Sequence, residues 1–381
     1  MTRRILLTLE SRATYGYSKN VYRAMQQLAQ MEVVTLVTGM HLIPELGNSV
    51  DNIRTDGLPI SATVPMTPGL GRAGWSEALG SAIAGYSGAY EKLQPDIVLI
   101  SGDRIEAFGC CIAAAYMGIP VAHIQAGDKS GHIDDAARMA MAKLAHIHLA
   151  SCGDSAERLV RLGEEDFRIF NVGAPQLDDI VDRDFSPRTT QLAGRSFDLH
   201  DRYLLLVQHP LMVERDEVAR QLRDSVEACL ATGLPLVWIY PNTDLGYRDV
   251  LDVVAAYRDN PQVWAIPNLD RDDYLTVLAN AAALIGNSSS GVLEAPSFKV
   301  PVINIGDRQR GRPQASNIVN CAVTRSDIDR TLDTVLRDKE FLARCAKAVN
   351  PYGDGRSGVR IASLLQSIVL DKRLMDKKTM Y

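Results

Sequence analysis

The feature that most constrains the fold is a short apolar run, rich in Val, Ile and Leu, that ends in a polar or glycine-containing cluster and recurs along the chain. These runs and their clusters occupy residues 5–12, 33–41, 96–104, 121–128, 203–210, 235–244, 283–291 and 300–309. Strands that are apolar on both faces are typical of parallel sheets covered by helices. Segments with helical spacing lie between the runs, at residues 20–31, 77–93, 106–117, 136–150, 214–231 and 272–282. This alternation predicts an α/β fold with doubly wound parallel sheets.

The chain length and one polar stretch predict two domains. A chain of 381 residues is long enough for two domains of ordinary size. Residues 182–201 are polar, contain Pro187 and lack a clear period, which is typical of a linker. We therefore expect an N-terminal domain at residues 1–181 and a C-terminal domain at residues 182–381, both Rossmann-like.

Composition excludes several classes of protein. Hydrophobic residues make up 46% and charged residues 23%, which is ordinary for a soluble globular protein. The net charge of −5 argues against a nucleic-acid binder that relies on a broad basic surface. The first apolar run ends at Glu10, too early for a signal peptide, and no run approaches the roughly 18 residues of a membrane span. These features predict a cytoplasmic protein with no membrane or nucleic-acid partner.

The cysteines predict no metal or redox centre. Six are present, without CxxC-type or zinc-type spacing. Cys110 and Cys111 are adjacent within an apolar stretch, so we expect buried thiols.

Polar residues that follow the apolar runs are the candidate site residues, because ligands of doubly wound sheets lie outside the carboxyl ends of the strands. Asp103 and Arg104 follow one run, and Asp128 and Asp134 follow the next. Paired carboxylates in a cleft can divide acid and base roles when their environments separate their pKa values. Asp134 also stands where it would cap the helix at residues 136–150, and both roles stay open.

Three arginines and two histidines also follow predicted strands. Arg12, Arg308 and Arg312 are either clamps for a phosphate group or solvated surface residues. His41 and His209 are candidate acids, bases or phosphate donors, and a structural role is the alternative for each.

A serine cluster follows a strand in the second half of the chain. Residues 287–291 include Ser288, Ser289 and Ser290, and they precede a predicted short helix. Hydroxyl and backbone N–H groups at such a place suit a diphosphate, whereas an ordinary serine N-cap is the alternative. Glu294, one turn later, is placed to accept hydrogen bonds from ribose hydroxyls.

Taken together and in this order, the clusters resemble the hydrolysing UDP-N-acetylglucosamine 2-epimerases of sialic-acid-type pathways. The resemblance covers nearly the whole chain, and its pieces are residues 12–16, 38–42, 102–104, 123–128, 133–135 with Arg138, 143–148, 209–210, 241–244, 287–291 with Glu294, and 306–309 with 311–312. It implies a GT-B-like fold, in which two Rossmann-like domains face a cleft. It also implies a UDP-linked sugar substrate, no metal or redox cofactor, and a homo-oligomer, either a dimer or a tetramer.

The resemblance also implies a mechanism. A base removes the proton at C-2 of the sugar while UDP leaves from C-1, and this anti elimination gives a 2-acetamidoglucal. Water then adds, and C-2 receives a proton on the opposite face, which yields N-acetylmannosamine. The resemblance assigns Asp103 and Asp134 to the sugar and His209 to the departing phosphate or to proton transfer. It assigns Arg12, Ser289, Ser290 and Arg308 to the diphosphate and Glu294 to the ribose. The remaining expected binding residues are His41, Arg104, Arg138, Asn242, Ser288, Gly291 and Arg312.

Position 125 departs from the family pattern. Gln125 stands where many relatives carry an acid/base glutamate, and glutamine cannot exchange a proton at neutral pH. Asp128 is the candidate to take over this role. The departure leaves open the same reaction on UDP-2,4-diacetamido-2,4,6-trideoxyglucose. It also leaves open a non-hydrolysing 2-epimerase, a GT-B glycosyltransferase and an inactive nucleotide-sugar sensor.

Overall fold

The computed structural model describes residues 2–43, 49–67, 73–129, 134–209, 217–240, 247–267, 269–378 and 380. For residues 12, 13, 134 and 247–249 it describes the backbone but not the side chains. Asn242 lies outside the described residues, as do the side chains of Arg12 and Asp134.

Two parallel sheets and one hairpin contain the strands of the described residues. The first sheet has the order β3-β2-β1-β4-β5-β6-β7, and the second has the order β12-β11-β10-β13-β14-β15. Several central strands, such as β4 and β5, are buried at every position, as expected for strands covered on both faces. The strands are β1 (Arg3–Leu9), β2 (Met31–Thr38), β3 (Ala62–Val64), β4 (Ile97–Ser101), β5 (Val121–Ile124), β6 (Ile147–Ala150), β7 (Ile169–Asn171), β8 (Thr189–Leu192), β9 (Arg195–Asp198), β10 (Leu204–Val207), β11 (Leu236–Ile239), β12 (Val263–Ile266), β13 (Ala283–Gly286), β14 (Val302–Ile305) and β15 (Ile318–Cys321).

Helices alternate with most of these strands, which confirms the predicted doubly wound α/β class. No helix in the described ranges has the length and apolar character needed to cross a membrane. The helices are α1 (Arg12–Gln26), α2 (Val50–Thr55), α3 (Gly74–Leu93), α4 (Ile105–Tyr116), α5 (Asp134–Leu144), α6 (Gly153–Arg161), α7 (Val218–Ala231), α8 (Tyr247–Tyr257), α9 (Arg271–Asn280), α10 (Ser290–Leu293), α11 (Ala295–Phe298), α12 (Arg325–Arg337), α13 (Lys339–Ala346), α14 (Ser357–Ser367) and α15 (Lys372–Met375).

The helix predicted at residues 136–150 is too long. Helix α5 ends at Leu144, and residues 147–150 form β6. All four residues of β6 are buried, so burial on both faces, and not local helical preference, decides their conformation.

The described contacts divide the chain into two compact units. Unit 1 comprises Met1–Val181 and Tyr352–Tyr381, and unit 2 comprises Asp182–Pro351. Residues 352–381 therefore differ from the expectation, which placed them in the C-terminal domain. The reason is that Ile361 and Leu365 of α14 belong to the same buried cluster as Val21 and Met25 of α1.

The stretch predicted as a linker is partly ordered structure of unit 2. Strands β8 and β9 pair antiparallel at residues 189–198, with Leu192 and Phe197 buried. Phe197 packs edge-on against Tyr203 and Trp264. Each of the two strands has a single buried residue, Leu192 in β8 and Phe197 in β9, which explains why no strand was evident from the composition.

Both parallel sheets contain a point at which the strand order reverses. In unit 1, β1 pairs with β2 on one side and with β4 on the other. In unit 2, β10 pairs in the same way with β11 and β13. Such reversals open a crevice at the carboxyl ends of the strands, where ligands of this fold class bind.

Candidate functional site

The polar groups of unit 1 gather at the carboxyl ends of β1, β4 and β5. Asp103 follows β4, and Arg138 reaches it from α5 with an N–O distance of 2.5 Å. The Arg138 side chain is 4% exposed and that of Asp103 is 18% exposed. Although burial opposes it, the carboxylates of Asp103 and Asp128 raise the pKa of Arg138. Asp103 is thus a carboxylate that a buried cation fixes at a partly accessible edge.

Gln125 is held by both its backbone and its side chain. Its φ of 61° lies in the left-handed region, which residues other than glycine rarely adopt. The Tyr17 hydroxyl donates to its Oε1 at 3.0 Å, and Arg138 donates to its carbonyl oxygen at 2.6 Å. The contacts with Arg138 therefore couple the positions of Gln125 and Asp103.

His123 lies in β5 and contacts the loop that follows β4. Burial, and then the charge of Arg138, lowers its pKa to about 3. The neutral ring donates from Nε2 to the carbonyl oxygen of Gly102 at 2.7 Å. This bond supports the turn that precedes Asp103.

Asp128 is anchored to neighbouring elements. Ser151 and Ser155 both donate to its Oδ1, at 2.5 Å and 2.7 Å, and Arg158 donates to the carbonyl oxygen of Gly127. The contacts attach the loop after β5 to β6 and α6. They give Asp128 a positioning role, while its predicted acid/base role stays a prediction.

His41 and Arg104 each contact a nearby polar side chain. His41, after β2, is buried, and its Nδ1 lies 2.8 Å from the Ser49 hydroxyl. Arg104 lies 3.2 Å from the buried carboxylate of Glu106 on α4. These contacts orient two of the predicted binding residues of unit 1.

In unit 2, His209 and Asn287 meet where the strand order reverses. The His209 amide donates to the Asn287 side-chain oxygen at 2.7 Å, and the Asn287 side-chain amide donates back to the His209 carbonyl oxygen at 2.9 Å. Burial, followed by the charge of Arg308, lowers the pKa of His209 to about 3. Its imidazole is therefore neutral at physiological pH, and within the described part of the chain its buried Nδ1 has no hydrogen-bond partner.

Glycine is required beside this pair. Gly286 has a φ of 127°, and a Cβ built on it would lie 2.2 Å from the carbonyl oxygen of Val207. Only glycine permits this approach of β13 to β10, which brings His209 and Asn287 together.

The serine cluster and Arg308 lie around Asn287. Arg308 donates to the Asn287 carbonyl oxygen at 3.0 Å, and Gln309 donates to the same oxygen at 2.8 Å. The Ser288 hydroxyl accepts from the Ser290 amide at 3.3 Å. Helix α10 packs closely against β14 at Gly291, since a Cβ there would lie 2.9 Å from the Val302 side chain. Arg308 and the serine cluster thus lie at the same edge of the unit 2 sheet, where the sequence predicts a diphosphate site.

Glu294 presents a buried carboxylate oxygen without a donor among the described residues. The side chain is 7% exposed, and its Oε1 accepts from Arg271 at 2.8 Å. Its Oε2 is buried and has no hydrogen-bond partner in the described structure. Buried polar atoms nearly always have a hydrogen-bond partner. We therefore expect this oxygen to accept a hydrogen bond from a hydroxyl group of a ligand.

Arg312 and the cysteines complete the predicted set. Arg312 lines an open cavity of about 710 Å³ together with Asn304, Gln314 and Asn320. All six cysteines are buried and form no disulfide. No cluster of metal-ligating side chains occurs among the residues that the structure describes.

Comparison with known proteins places the chain in a family. The family model for UDP-N-acetylglucosamine 2-epimerase matches residues 23–366. A UDP-N,N'-diacetylbacillosamine 2-epimerase (hydrolyzing) from Legionella pneumophila is 35% identical over 384 residues, covering 100% of both chains. The chain belongs to the UDP-N-acetylglucosamine 2-epimerase family. A UDP-N-acetylglucosamine 2-epimerase from Neisseria meningitidis is 28% identical over 84% of this chain and 83% of its own.

A solved structure of a 2-epimerase has the same fold as this family member. UDP-GlcNAc 2-epimerase from N. meningitidis, bound to UDP-GlcNAc, gives a TM-score of 0.81 at 17% identity, covering 96% of this chain and 100% of that one. The likeness confirms the predicted GT-B-like fold with two Rossmann-like sheets.

Several contacts in this family member were not evident from the sequence. Glu10, Tyr17, Arg271 and Tyr274 all contact or adjoin the predicted site residues, and Tyr274 donates to the Ser290 hydroxyl at 2.6 Å. Glu10 follows β1 and stands at the polar end of the apolar run at residues 5–12, which was the available signal. Arg271 and Tyr274 begin α9 and are distant in sequence from the residues they contact, so no local pattern marks them.

Gly127→Ala is expected to lower the free energy of unfolding by about 3 kcal/mol. Its φ is 72°, and a Cβ would lie 2.4 Å from the backbone oxygen of Ser155. The left-handed conformation costs about 1–2 kcal/mol, and overpacking adds about 1–3 kcal/mol. Gly118→Ala is the matched control, because Gly118 has a φ of 69° but open space around it. Urea unfolding of both variants separates the cost of crowding from the cost of the backbone conformation. Equal losses of stability in the two variants would contradict a cost of crowding at Gly127.

Proposed function

We propose that this protein is a hydrolysing 2-epimerase that converts UDP-2,4-diacetamido-2,4,6-trideoxyglucose to UDP and the free sugar with the manno configuration. The supporting observation is the 35% identity, along the whole chain, to the Legionella UDP-N,N'-diacetylbacillosamine 2-epimerase (hydrolyzing), because that sugar is 2,4-diacetamido-2,4,6-trideoxyglucose. The sequence favoured UDP-GlcNAc, and the full-length relative reverses this order. UDP-GlcNAc is the second candidate, supported by the Neisseria relative.

Asp103 is the base of the proposed reaction. Arg138 pairs with its carboxylate and orients it, and general-base catalysis needs a group whose proton-free form is present at working pH. Asp103 takes the proton from C-2, the C–H electrons form the C-1=C-2 bond, and the C-1–O bond breaks with its electrons on UDP. The oxygen of a water molecule then bonds to C-1 and the water releases one proton to solvent, while C-2 receives a proton on its opposite face, for which Asp134 is the proposed source.

Gln125 has a different task in this proposal. Its amide cannot exchange a proton, and its Oε1 already accepts from Tyr17. Its amide nitrogen is a donor for the acetamido oxygen of the sugar. The proposed acid/base groups are therefore carboxylates, and none of them is the residue at position 125, where many relatives carry glutamate.

The groups of unit 2 hold the nucleotide in the proposal. Arg308, Ser289 and Ser290 bind the diphosphate, because a leaving diphosphate needs cationic and hydroxyl donors. Burial keeps the pKa of His209 at about 3, so His209 serves the departing phosphate as a neutral hydrogen-bonding group. Glu294 accepts from the ribose hydroxyls through its buried Oε2.

Glu294→Gln is expected to raise the dissociation constant for UDP about 10-fold. A hydrogen bond to a charged acceptor contributes about 1.5–3 kcal/mol, and the amide replaces the carboxylate without changing its shape. Calorimetric titration with UDP measures the change. The matched control is Glu217→Gln, an exposed carboxylate of unit 2 paired with Arg220. Equal UDP affinities in all three proteins would remove Glu294 from the ribose site.

A comparison of the two sugars tests the proposed function. Purified protein is supplied with UDP-2,4-diacetamido-2,4,6-trideoxyglucose or with UDP-GlcNAc, while UDP release is measured and the products are identified by mass spectrometry. We expect free sugar and UDP from both, with kcat/KM at least about 10-fold higher for the diacetamido sugar. A reversed preference would make UDP-GlcNAc the substrate. Epimerised sugar still attached to UDP would exclude the hydrolysing reaction, and no reaction with either would exclude the proposal.

A further inference from the structure

Glu10 is a buried acid for which the proposed reaction has no use. It follows β1 at the carboxyl edge of the unit 1 sheet and is 0% exposed. Thr8 contacts its Oε1, and Thr14 lies 3.0 Å from its Oε2. A second acid, Glu106, approaches it across Gly39. A Cβ built on Gly39 would lie 2.7 Å from the Glu106 carboxylate and 2.8 Å from the Glu10 carbonyl oxygen.

The hydrogen bonds around Glu10 fit a neutral carboxylic acid. The Thr8 hydroxyl also lies 3.3 Å from the carbonyl oxygen of Leu99, and the Thr14 hydroxyl lies 3.0 Å from that of Ser11. Each hydroxyl has a single proton and two candidate acceptors. If Glu10 carries a proton, it donates to Thr8, and Thr8 can then donate to Leu99. Burial raises the pKa of Glu10 to about 7, with a smaller increase from the charge of Glu106, although hydrogen bonds from Thr8 and Thr14 lower it.

Charged and titratable groups face Glu10 from several elements. Glu106 lies on α4 and pairs with Arg104, so it brings a negative charge whose cation is already engaged. The other groups are Tyr17 of α1, Tyr86 of α3 and Cys110 of α4. Burial is the main cause that raises the pKa of each group, and the negative charge of Glu10 raises it further. An ionised Glu10 would thus add a negative charge beside Glu106 and near Tyr17, where Arg138 is the cation that acts on Tyr17 in the described structure.

Contacts lead from Glu10 to the base. Its partner Thr14 packs beside Gly102, where a built Cβ would lie 3.4 Å from the Thr14 methyl and 3.3 Å from the Tyr17 hydroxyl. Gly102 has a φ of 74° and precedes Asp103 directly. Tyr17 in turn donates to Gln125. The turn that presents Asp103 therefore lies next to the two α1 side chains that adjoin Glu10.

We propose that Glu10 is a positioning residue of the sugar site, which as a neutral carboxylic acid holds Thr14 against the Gly102 turn and so fixes the place of Asp103. This rests on the proposed function, since Asp103 is the base of that reaction. Ionisation of Glu10 removes the proton that it donates to Thr8 and adds negative charge near Tyr17 and Asp103, so turnover falls as pH rises through the ionisation of Glu10.

The test compares Glu10→Gln, Glu10→Ala and Glu164→Gln with the wild type. Glutamine keeps the shape and neutrality of the acid, whereas alanine removes the contact. Glu164 is the matched control, a buried acid of unit 1. Although burial opposes it, hydrogen bonds from His148 and Lys377 lower its pKa to about 2, so it stays ionised. The readouts are kcat and KM from pH 5 to pH 9, UDP affinity, and urea unfolding at pH 5 and pH 8.

We expect Glu10→Gln to keep wild-type kcat near pH 6 and to lose the alkaline decline. Glu10→Ala lowers kcat about 10- to 100-fold at every pH, with UDP affinity unchanged. Glu164→Gln lowers stability but keeps the shape of the wild-type pH profile. A Glu10→Gln enzyme as inactive as Glu10→Ala would overturn the proposal, because Glu10 would then exchange protons. A Glu10→Ala enzyme with wild-type kcat would overturn it as well.

The unfolding data separate this proposal from the proposed function. A pKa raised from 4.5 to about 7 in the folded state contributes stability that is complete below pH 4.5 and is lost as pH rises through about 7. The wild type should therefore lose stability relative to Glu10→Gln between pH 5 and pH 8. If the wild type turns over neither sugar, the proposed function fails, yet this difference still supports the neutral acid. Parallel unfolding of both proteins would overturn the neutral acid whatever the activity.

Discussion

Asp103→Asn is expected to lower kcat about 10²- to 10⁴-fold, the usual contribution of a general base, while the dissociation constant for UDP stays within about twofold. Asparagine keeps the shape of the side chain but cannot accept the C-2 proton. The nucleotide keeps its proposed contacts with Arg308 and Glu294, so binding should survive. Initial rates and calorimetric titration with UDP measure the two effects.

Asp154→Asn is the control for this variant. Asp154 is an exposed acid in the first turn of α6, so its replacement should change neither kcat nor UDP affinity. Wild-type kcat in Asp103→Asn would remove Asp103 from the mechanism. Equal losses of kcat and of UDP affinity would show damage beyond the base.

Arg138→Met is expected to lower the free energy of unfolding by about 3 kcal/mol and to reduce kcat about as much as Asp103→Asn. Removing one partner of a buried ion pair costs about 3–5 kcal/mol, and the partial exposure of Asp103 places the effect at the low end. The carbonyl oxygen of Gln125 also loses its donor. Urea unfolding and initial rates measure both losses.

The exposed pair Arg325 and Asp329 provides the control for Arg138→Met. Its N–O distance is 2.9 Å, but its side chains are 38% and 45% exposed, so Arg325→Met should cost less than about 1 kcal/mol. The double variant Asp103→Asn/Arg138→Met should lose less than the sum of the single losses, because both remove one interaction. Additive losses would contradict the coupling of these residues.

The sequence predicts much of this fold because its central strands are apolar on both faces. Strands such as β4 and β10 consist almost entirely of apolar residues, and the polar clusters after them mark one edge of each sheet. Strand β6 was missed because residues 136–150 carry a continuous helical pattern without Gly or Pro at the break. The return of α14 to unit 1 has no local signal, since its apolar face does not specify which core receives it.

The candidate site was predictable as a set of residues, but not as a set of contacts. Asp103 was expected near the sugar and Arg138 among the binding residues, yet their ion pair joins residues that are 35 positions apart. The bond between Tyr17 and Gln125 spans 108 residues. The proton on Glu10 depends on burial and on Glu106, and neither is readable from the local sequence around β1.

Proton NMR of the purified protein with UDP-2,4-diacetamido-2,4,6-trideoxyglucose in deuterated water tests the central claim most directly. The elimination route predicts UDP and a free sugar of manno configuration that carries deuterium at C-2. Protium retained at C-2, or an epimerised sugar still linked to UDP, would contradict the account.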